Sequence, residues 1–127
     1  MLDLDRFKNY NDTHGHLAGN DTLQRVASVM RQTVRTVDFP ARYGGEEFAV
    51  IVPQIDTPSL AAIAERIRAG VEATTPVTVS IGAAVYPDDG ANADALFAVA
   101  DERLYSAKRG GRNRVVAPRP RVTSSAM

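Results

Sequence analysis

The chain has 127 residues, 44% of them hydrophobic and 24% charged, and these values are typical of one globular domain with its own core. Fifteen Lys and Arg balance fifteen Asp and Glu, and there is no cysteine, so the composition gives no reason to expect nucleic-acid binding or disulfide and thiol chemistry. No apolar run is long enough to span a bilayer and no signal peptide is recognisable, so we expect a cytoplasmic domain without membrane contact.

The chain opens with a candidate strand. Residues 1–5, Met-Leu-Asp-Leu-Asp, alternate apolar and acidic side chains, as a half-buried strand does. Asp3 and Asp5 should therefore share one face. Residues 6–16 are polar and predict a short helix and loop. Apolar residues then recur at helical spacing and predict an amphipathic helix over about 20–37, with Asn20 as its N-cap.

A Gly-Gly pair lies between two β-prone stretches, 39–43 and 47–52, and predicts a hairpin because glycine reaches positive φ without steric cost. Glu46 and Glu47 follow the glycines directly. Taken alone, this is either an ordinary hairpin with a solvated acidic tip or one edge of a metal site, since Mg²⁺ and Mn²⁺ prefer carboxylate oxygen. Asp3 on a neighbouring strand favours the metal site, because carboxylates from two strands could hold a metal triphosphate for nucleotidyl transfer.

The second half continues the alternation of helices and strands. Thr57 as a hydroxyl cap and Pro58 in the first turn begin another helix. We predict a central strand over 77–86, a helix around 96–107 and a last strand over 113–116. The order is βαββαβαβ, and the short connection between the second and third strands requires an antiparallel pair. The fold class is therefore α+β, a ferredoxin-like palm with a mostly antiparallel central sheet and flanking helices.

Several of these segments, in this order, resemble the motifs of the GGDEF family, the diguanylate cyclases. The hairpin carries the signature as Gly-Gly-Glu-Glu-Phe, and the resemblance covers residues 1–116. It implies the palm fold of nucleotide cyclases. Family members carry an additional N-terminal segment with an Asp-x-Leu-Thr motif, so we expect this chain to be a truncated fragment, and we expect 117–127 to be a disordered tail. The other matching motifs are Asp3-Leu4-Asp5-Arg6-Phe7-Lys8, Asn11-Asp12-Thr13-His14-Gly15-His16, Ser80-Ile81-Gly82, Ala100-Asp101 with Leu104-Tyr105, and Ala107-Lys108 with Gly111-Arg112-Asn113.

The resemblance also implies the site. Glu46 is the candidate for deprotonating a 3′-hydroxyl, directly or through metal-bound water. His14 and His16 lack a neighbouring cysteine and are expected to position structure or ligand rather than zinc. The implied ligands of Mg²⁺ (or Mn²⁺) are Asp3, the Leu4 carbonyl, Glu46 and Glu47. The implied GTP contacts are the backbone N–H groups of Arg6 and Phe7, and the side chains of Lys8, Asn11, His16, Asn20, Lys108 and Arg112.

Two further features follow from the comparison with the family pattern. Asn20 stands where the family usually has Asp, which accepts from two donors of guanine, so selectivity against adenine should weaken. Arg35 and Asp38 form an Arg-x-x-Asp pattern at the family's spacing from the signature, and Arg66 resembles its helper arginine. Read without the family, the pair is a weak surface ion pair. Read with it, these three residues bind the product, cyclic di-GMP, and inhibit.

The sequence thus predicts a diguanylate cyclase that condenses two GTP into cyclic di-GMP and two pyrophosphates. Each domain holds one GTP, so catalysis requires a homodimer. One alternative is a weak or inactive domain that only binds cyclic di-GMP or GTP. Another is a different nucleotide cyclase or a polymerase-like palm. Without the family resemblance, the basic run 108–114 would suggest an RNA-binding tail or a solvated basic end of the chain. With a triphosphate site predicted, contacts to phosphate are the better interpretation.

Overall fold

The computed structural model describes residues 1–119. Its sheet has the strand order β2-β3-β1-β4-β5, so the first strand of the chain lies at the centre. Within the described residues the elements are β1 (Leu2–Leu4), α1 (Phe7–His14), α2 (His16–Thr33), β2 (Phe39–Arg42), β3 (Glu47–Ile51), α3 (Thr57–Thr74), β4 (Val79–Gly82), α4 (Ala93–Arg109) and β5 (Val115–Val116).

The sheet is mostly antiparallel, as predicted. β1 pairs antiparallel with both β3 and β4, and β2 pairs antiparallel with β3 across the Gly-Gly turn. β5 joins β4 in parallel. The α+β palm predicted from the order of elements is confirmed, and the hairpin that carries Glu46 and Glu47 lies next to the strand that carries Asp3.

The two faces of the sheet differ in what they bury. Leu2 and Leu4 of β1 join the main hydrophobic core with the apolar faces of α2 and α3. Asp3 points the other way, since successive side chains of a strand alternate. That second face is covered by α4, which packs on β4 so closely that a Cβ on Gly82 would lie 2.2 Å from the carbonyl oxygen of Ala100. The glycine of the Ser80-Ile81-Gly82 motif is therefore required for packing.

The predicted bounds of α2 and both predicted helix caps, Asn20 and Thr57, were wrong. α2 begins at His16 behind Gly15 and ends at Thr33, so Asn20 lies inside the helix and does not cap it. The first turn of α2 contains a glycine and an exposed Leu17, so the buried apolar stripe that reveals the helix becomes regular only from Leu23 onward. α3 begins at Thr57, but its cap is the Asp56 carboxylate, which accepts the Ser59 N–H at 2.7 Å.

Other boundaries are narrower than expected. β4 covers Val79–Gly82 rather than 77–86 and β5 only Val115–Val116. Residues 117–119 have no regular structure, and the rest of the predicted tail lies outside the described residues. No helix in the described part of the chain is long and apolar enough to cross a membrane.

Candidate active site

An open cleft of about 580 Å³ lies between α1, the first turns of α2 and the Gly-Gly hairpin. It brings together residues that are up to 40 positions apart in the sequence, and six of them were predicted as site residues. Those six are Phe7, Lys8, Asn11, Asn20, Glu46 and Glu47, and the remaining lining residues are Leu23, Arg42, Gly44 and Gly45.

The acidic end of the site is built by the pairing of β1 with β3. Asp3 lies directly opposite Glu47 in the strand register. The Leu4 N–H donates to the Glu46 carbonyl at 3.2 Å. On the other side of β1, the Lys108 ammonium of α4 donates to Asp3 Oδ2. The four predicted metal ligands therefore lie on adjacent backbone segments, next to a cation.

The electrostatics of this end are unbalanced. Burial raises the pKa of the Glu46 carboxyl, and the nearby Asp3 charge raises it further, partly offset by Lys108. Asp3 itself is buried, and its Oδ1 has no hydrogen-bond partner among the described residues. A buried carboxylate oxygen without a partner is costly. The site thus has excess negative charge and an acceptor that a cation could satisfy.

The donor set fits a hard divalent ion only in part. Among residues 1–119, no three His, Cys, Asp or Glu side chains are close enough to surround one ion. Mg²⁺ commonly uses one or two carboxylates and completes its octahedron with water and substrate phosphates. Asp3 and Glu46, with the Leu4 carbonyl, match that sparser pattern, and the unpartnered Asp3 Oδ1 is the observation that favours it.

The opposite end of the cleft is formed where α1 meets α2. The Asn11 carboxamide packs against Gly19 so tightly that a Cβ there would lie 1.7 Å from Asn11 Oδ1. That oxygen is buried and has no hydrogen-bond partner in the described chain. Asn20 is exposed and lines the same cleft. The carboxamides of Asn11 and Asn20 thus both line the end of the cleft opposite the carboxylates.

Four predicted contacts do not line this cleft. Arg6 is exposed just before α1, with a left-handed φ of 54°. His16 is exposed at the first position of α2. Lys108 reaches the site through Asp3. Arg112 lies in the turn after α4, with a φ of 64°.

Sequence reasoning missed Arg42. Its guanidinium donates from Nε to the Gly44 carbonyl at 3.0 Å and from Nη2 to the Gly45 carbonyl at 2.6 Å. It also lines the cleft. Arg42 therefore holds the turn that presents Glu46. The available signal was an arginine two residues before a Gly-Gly turn, whose carbonyls can accept from its guanidinium.

The second predicted site is a closed ion pair. The Asp38 side chain is fully buried, whereas that of Arg35 is 40% exposed. Asp38 accepts the Arg35 N–H at 2.8 Å and guanidinium bonds at 2.9–3.2 Å, and Arg35 Nη2 also donates to the Pro53 carbonyl at 2.6 Å. Hydrogen bonding to Arg35 lowers the pKa of Asp38. Arg66 is exposed on α3.

Comparison with known proteins gives a consistent result. Diguanylate cyclase A of Treponema denticola is 43% identical over 123 residues, covering 91% of this chain and 33% of that protein. The GGDEF domain of PA1120 from Pseudomonas aeruginosa superposes with a TM-score of 0.85 at 34% identity, covering 94% of this chain and 80% of that one. The GGDEF domain of DgcB from Caulobacter crescentus, in complex with c-di-GMP, gives 0.81 at 40% identity, covering 91% and 73%.

The chain spans about a third or less of the length of the curated relatives it matches. The family model described as "Diguanylate cyclase, GGDEF domain" matches residues 1–114, nearly all of the described chain. The strand pairing, the acidic hairpin beside Asp3 and these similarities lead to one assignment: the chain belongs to the GGDEF family.

Proposed function

We propose that this domain condenses two GTP into cyclic di-GMP and two pyrophosphates. The proposal is carried by the acidic end of the cleft. There Glu46, whose pKa is raised, lies beside a buried Asp3 whose Oδ1 has no hydrogen-bond partner among residues 1–119. Such a site is incomplete until a cation joins it. A metal-bound triphosphate supplies that cation.

The cleft offers separate contacts for base and phosphates. Asn11 and Asn20 carry the donors and acceptors that a guanine edge requires, at the carboxamide end. Lys8 contributes a positive charge to the lining, and Lys108 brings another to Asp3. Charge-assisted contacts to phosphate are stronger than neutral ones. GTP would therefore extend from the carboxamides to the carboxylates, with Arg112 reaching the outer phosphates from the turn after α4.

Glu46 is the proposed base. Its raised pKa, caused by burial and by Asp3, makes it a better proton acceptor than an ordinary carboxylate. It accepts the proton of the 3′-hydroxyl while that oxygen attacks the α-phosphorus of the other GTP and pyrophosphate leaves. Asp3, the Leu4 carbonyl and Glu46, with Glu47 opposite Asp3, would hold Mg²⁺ or Mn²⁺. When bound, the metal would neutralise phosphate charge and acidify the attacking hydroxyl.

The two attacks in the reaction require two nucleotides facing each other. One cleft of this size holds one GTP, so we propose that two copies of the domain pair with their clefts opposed. The exposed Arg35, its partner Asp38 and Arg66 would bind the product and inhibit. DgcB, at 40% identity, was crystallised with c-di-GMP, which supports product binding by domains of this kind.

The test is to incubate the protein with GTP and Mg²⁺ and to separate the nucleotides chromatographically. Cyclic di-GMP and pyrophosphate in a ratio of one to two, with turnover per domain rising with protein concentration, are the expected result. A chelator should abolish the reaction. If the rate per domain instead stays constant down to the lowest protein concentration, the pairing is contradicted.

The rival functions give different products. A binding module would leave GTP intact but still retain cyclic di-GMP on a calorimeter. Another cyclase would convert one GTP into cyclic GMP and one pyrophosphate. Either outcome would overturn the proposal.

A further inference from the structure

A second aspartate of β1's motif, Asp5, has no part in the reaction proposed above, yet it is buried and heavily hydrogen-bonded. Its Oδ2 accepts the Thr78 hydroxyl at 2.7 Å and the Asn113 backbone N–H at 3.0 Å, and its Oδ1 accepts the Ser80 hydroxyl at 2.6 Å. No ion pair among the described residues includes it. A buried carboxylate held only by neutral donors is expensive to keep.

One of these donors, the Asn113 N–H, belongs to an unusual turn. Gly111, Arg112 and Asn113 follow α4 with φ values of 121°, 64° and 47°, three consecutive residues in the left-handed region. Asparagine tolerates this region, but arginine does so at a cost. Such a turn persists only when its surroundings hold it. This turn carries Arg112 and follows Lys108 by three positions.

Asn113 is the point at which the turn is held. Its backbone N–H donates to Asp5, which directly follows β1. Its side-chain oxygen accepts from Arg68 Nη1 at 2.9 Å, and its Nδ2 donates to Glu72, both on α3. The turn is also closed from within, because the Arg112 N–H donates to the Ala107 carbonyl at 3.0 Å. Asn113 thus connects β1, α3 and the end of α4.

We propose that Asp5 is a positioning residue for the triphosphate: it fixes the 111–113 turn and thereby the direction of Arg112. The inference rests on the proposed function. Asp3 and Asp5 lie on the same face of one short segment. That segment therefore both places the proposed metal ligand Asp3 and holds the turn that carries Arg112. Asp5 thereby links the motif that carries Asp3 to the motif that carries Arg112 and Asn113.

The chemistry of the contacts predicts which substitutions matter. Asp5→Ala removes both carboxylate oxygens, and with them three hydrogen bonds, and should release Asn113. Asp5→Asn should rescue, because its amide oxygen can accept from Thr78 and Asn113 while its NH₂ donates to the Ser80 hydroxyl oxygen. If the negative charge of Asp5 were what mattered, Asp5→Asn would be as damaging as Asp5→Ala.

The experiment measures binding, so it does not depend on turnover. The probes are the α,β-methylene analogue of GTP, which cannot release pyrophosphate, and GMP, each titrated with Mg²⁺ present. We expect Asp5→Ala to weaken the analogue at least tenfold and GMP less than twofold, and Asp5→Asn to stay within threefold of wild type for both. If Asp5→Ala does not fold, Asp5→Leu keeps the volume and carries the same expectation.

Two controls separate positioning from general damage. Ser80→Ala loses a contact to the same carboxylate but leaves Asn113 held. Asp89→Ala removes another carboxylate that accepts a backbone N–H, that of Val85, away from the turn. Both should bind the analogue within threefold of wild type. A tenfold loss in either control would overturn the inference.

The route through Arg112 is tested by a double-mutant cycle. In the Arg112→Ala background, Asp5→Ala should add less than a twofold further loss. A full additional tenfold loss, or equal losses for GMP and the analogue, would overturn the inference. If the wild type binds the analogue but makes no cyclic di-GMP, the proposed function fails while this test still stands. If the wild type turns over and Asp5→Ala binds normally, the positioning role alone fails.

Discussion

The two predicted binding regions, the acidic end of the cleft and the Arg35–Asp38 pair, both contain buried carboxylates beside basic side chains. They differ in the direction in which the carboxyl pKa is shifted. At the acidic end of the cleft Glu46 has a raised pKa, and beside it the buried Asp3 has one oxygen without a hydrogen-bond partner among residues 1–119. In the Arg35–Asp38 pair, every oxygen of the buried carboxylate accepts hydrogen bonds and the pKa of Asp38 is lowered. In the first region Lys108 compensates the negative charge only in part, whereas in the second Arg35 pairs fully with Asp38.

This difference indicates what each region needs from a ligand. A carboxylate such as Glu46, whose pKa is raised, gains from a cation, so cation binding there relieves a penalty already present in the fold. A closed Arg–Asp pair gains nothing from a cation. A ligand reaches only the exposed side of the Arg35 guanidinium and contacts Asp38 only if the pair opens. Cyclic di-GMP binding at this pair must therefore compete with an internal bond.

The largest effect is expected from a substitution in the cleft, where it should abolish GTP turnover. Glu46→Gln removes one anionic ligand and the proposed base, and should reduce GTP turnover below detection. Because ionised Glu46 is penalised by burial and by Asp3, the neutral glutamine should leave the melting temperature equal to or above that of wild type. Chromatographic assays and thermal melts measure both. Substantial turnover, or a lost secondary-structure signal, would contradict the assignment.

The next effect concerns the closed pair. Arg35→Ala should weaken cyclic di-GMP binding by about tenfold or more, since a hydrogen bond to a charged group contributes roughly 1.5–3 kcal/mol. Calorimetry on the purified domain measures it. The matched control is Arg25→Ala, which breaks an exposed i,i+4 pair with Asp21 on α2 and should leave the affinity unchanged. Equal affinity in the Arg35 variant and wild type would mean that the pair is only structural.

The comparison also separates what local sequence patterns predict from what they cannot. Alternation in β1 and the Gly-Gly turn are local signals, and the face of Asp3 and the hairpin beside it were both correct. The Lys108 contact to Asp3 spans 105 positions, and no local pattern encodes it. The predicted start of α2 was wrong because Gly15 and Gly19 flank a first turn whose Leu17 is exposed and so does not belong to the buried stripe. The closure of Asp38 depends on packing around Arg35 and Pro53, which only the fold provides.

A smaller effect is expected at Asn20, at the base end of the cleft. An Asp can accept from both guanine donors, whereas Asn turns an NH₂ toward one of them. Asn20 is exposed, so water can satisfy the spare donor and the penalty should be near the low end, about 1 kcal/mol or roughly fivefold. Asn20→Asp should tighten GTP by that factor and leave ATP unchanged.

Titrating GTP and ATP against both proteins measures the change at Asn20. Because Asn20 lies inside α2 and does not cap it, no loss of capping accompanies the exchange, and the melting temperature should hold. Wild-type selectivity already equal to that of the Asp variant would mean that Asn20 does not read the base.

The smallest expected effects are on stability, and they test the comparison directly. Acidification should relieve a destabilising charge at Glu46 but remove a stabilising one at Asp38. The folded pKa of Glu46 is raised above its ordinary value of 4.5. Above that folded pKa the ionised group destabilises the fold, and the penalty disappears as the pH falls and Glu46 takes a proton before the unfolded chain does. Wild type should therefore gain stability relative to Glu46→Gln between neutral pH and about pH 4.5.

Asp38 has the opposite sign. Its folded pKa is lowered from 3.8, so its stabilisation is complete above that value and is lost as the pH falls below it toward the folded pKa. Wild type should be more stable than Asp38→Asn at neutral pH, and the difference should shrink on acidification. Urea unfolding of the three proteins at several pH values, with chelator present, measures both slopes. Parallel slopes would mean that the two carboxylates lie in equivalent environments, which would contradict the distinction between an incomplete site and a closed pair.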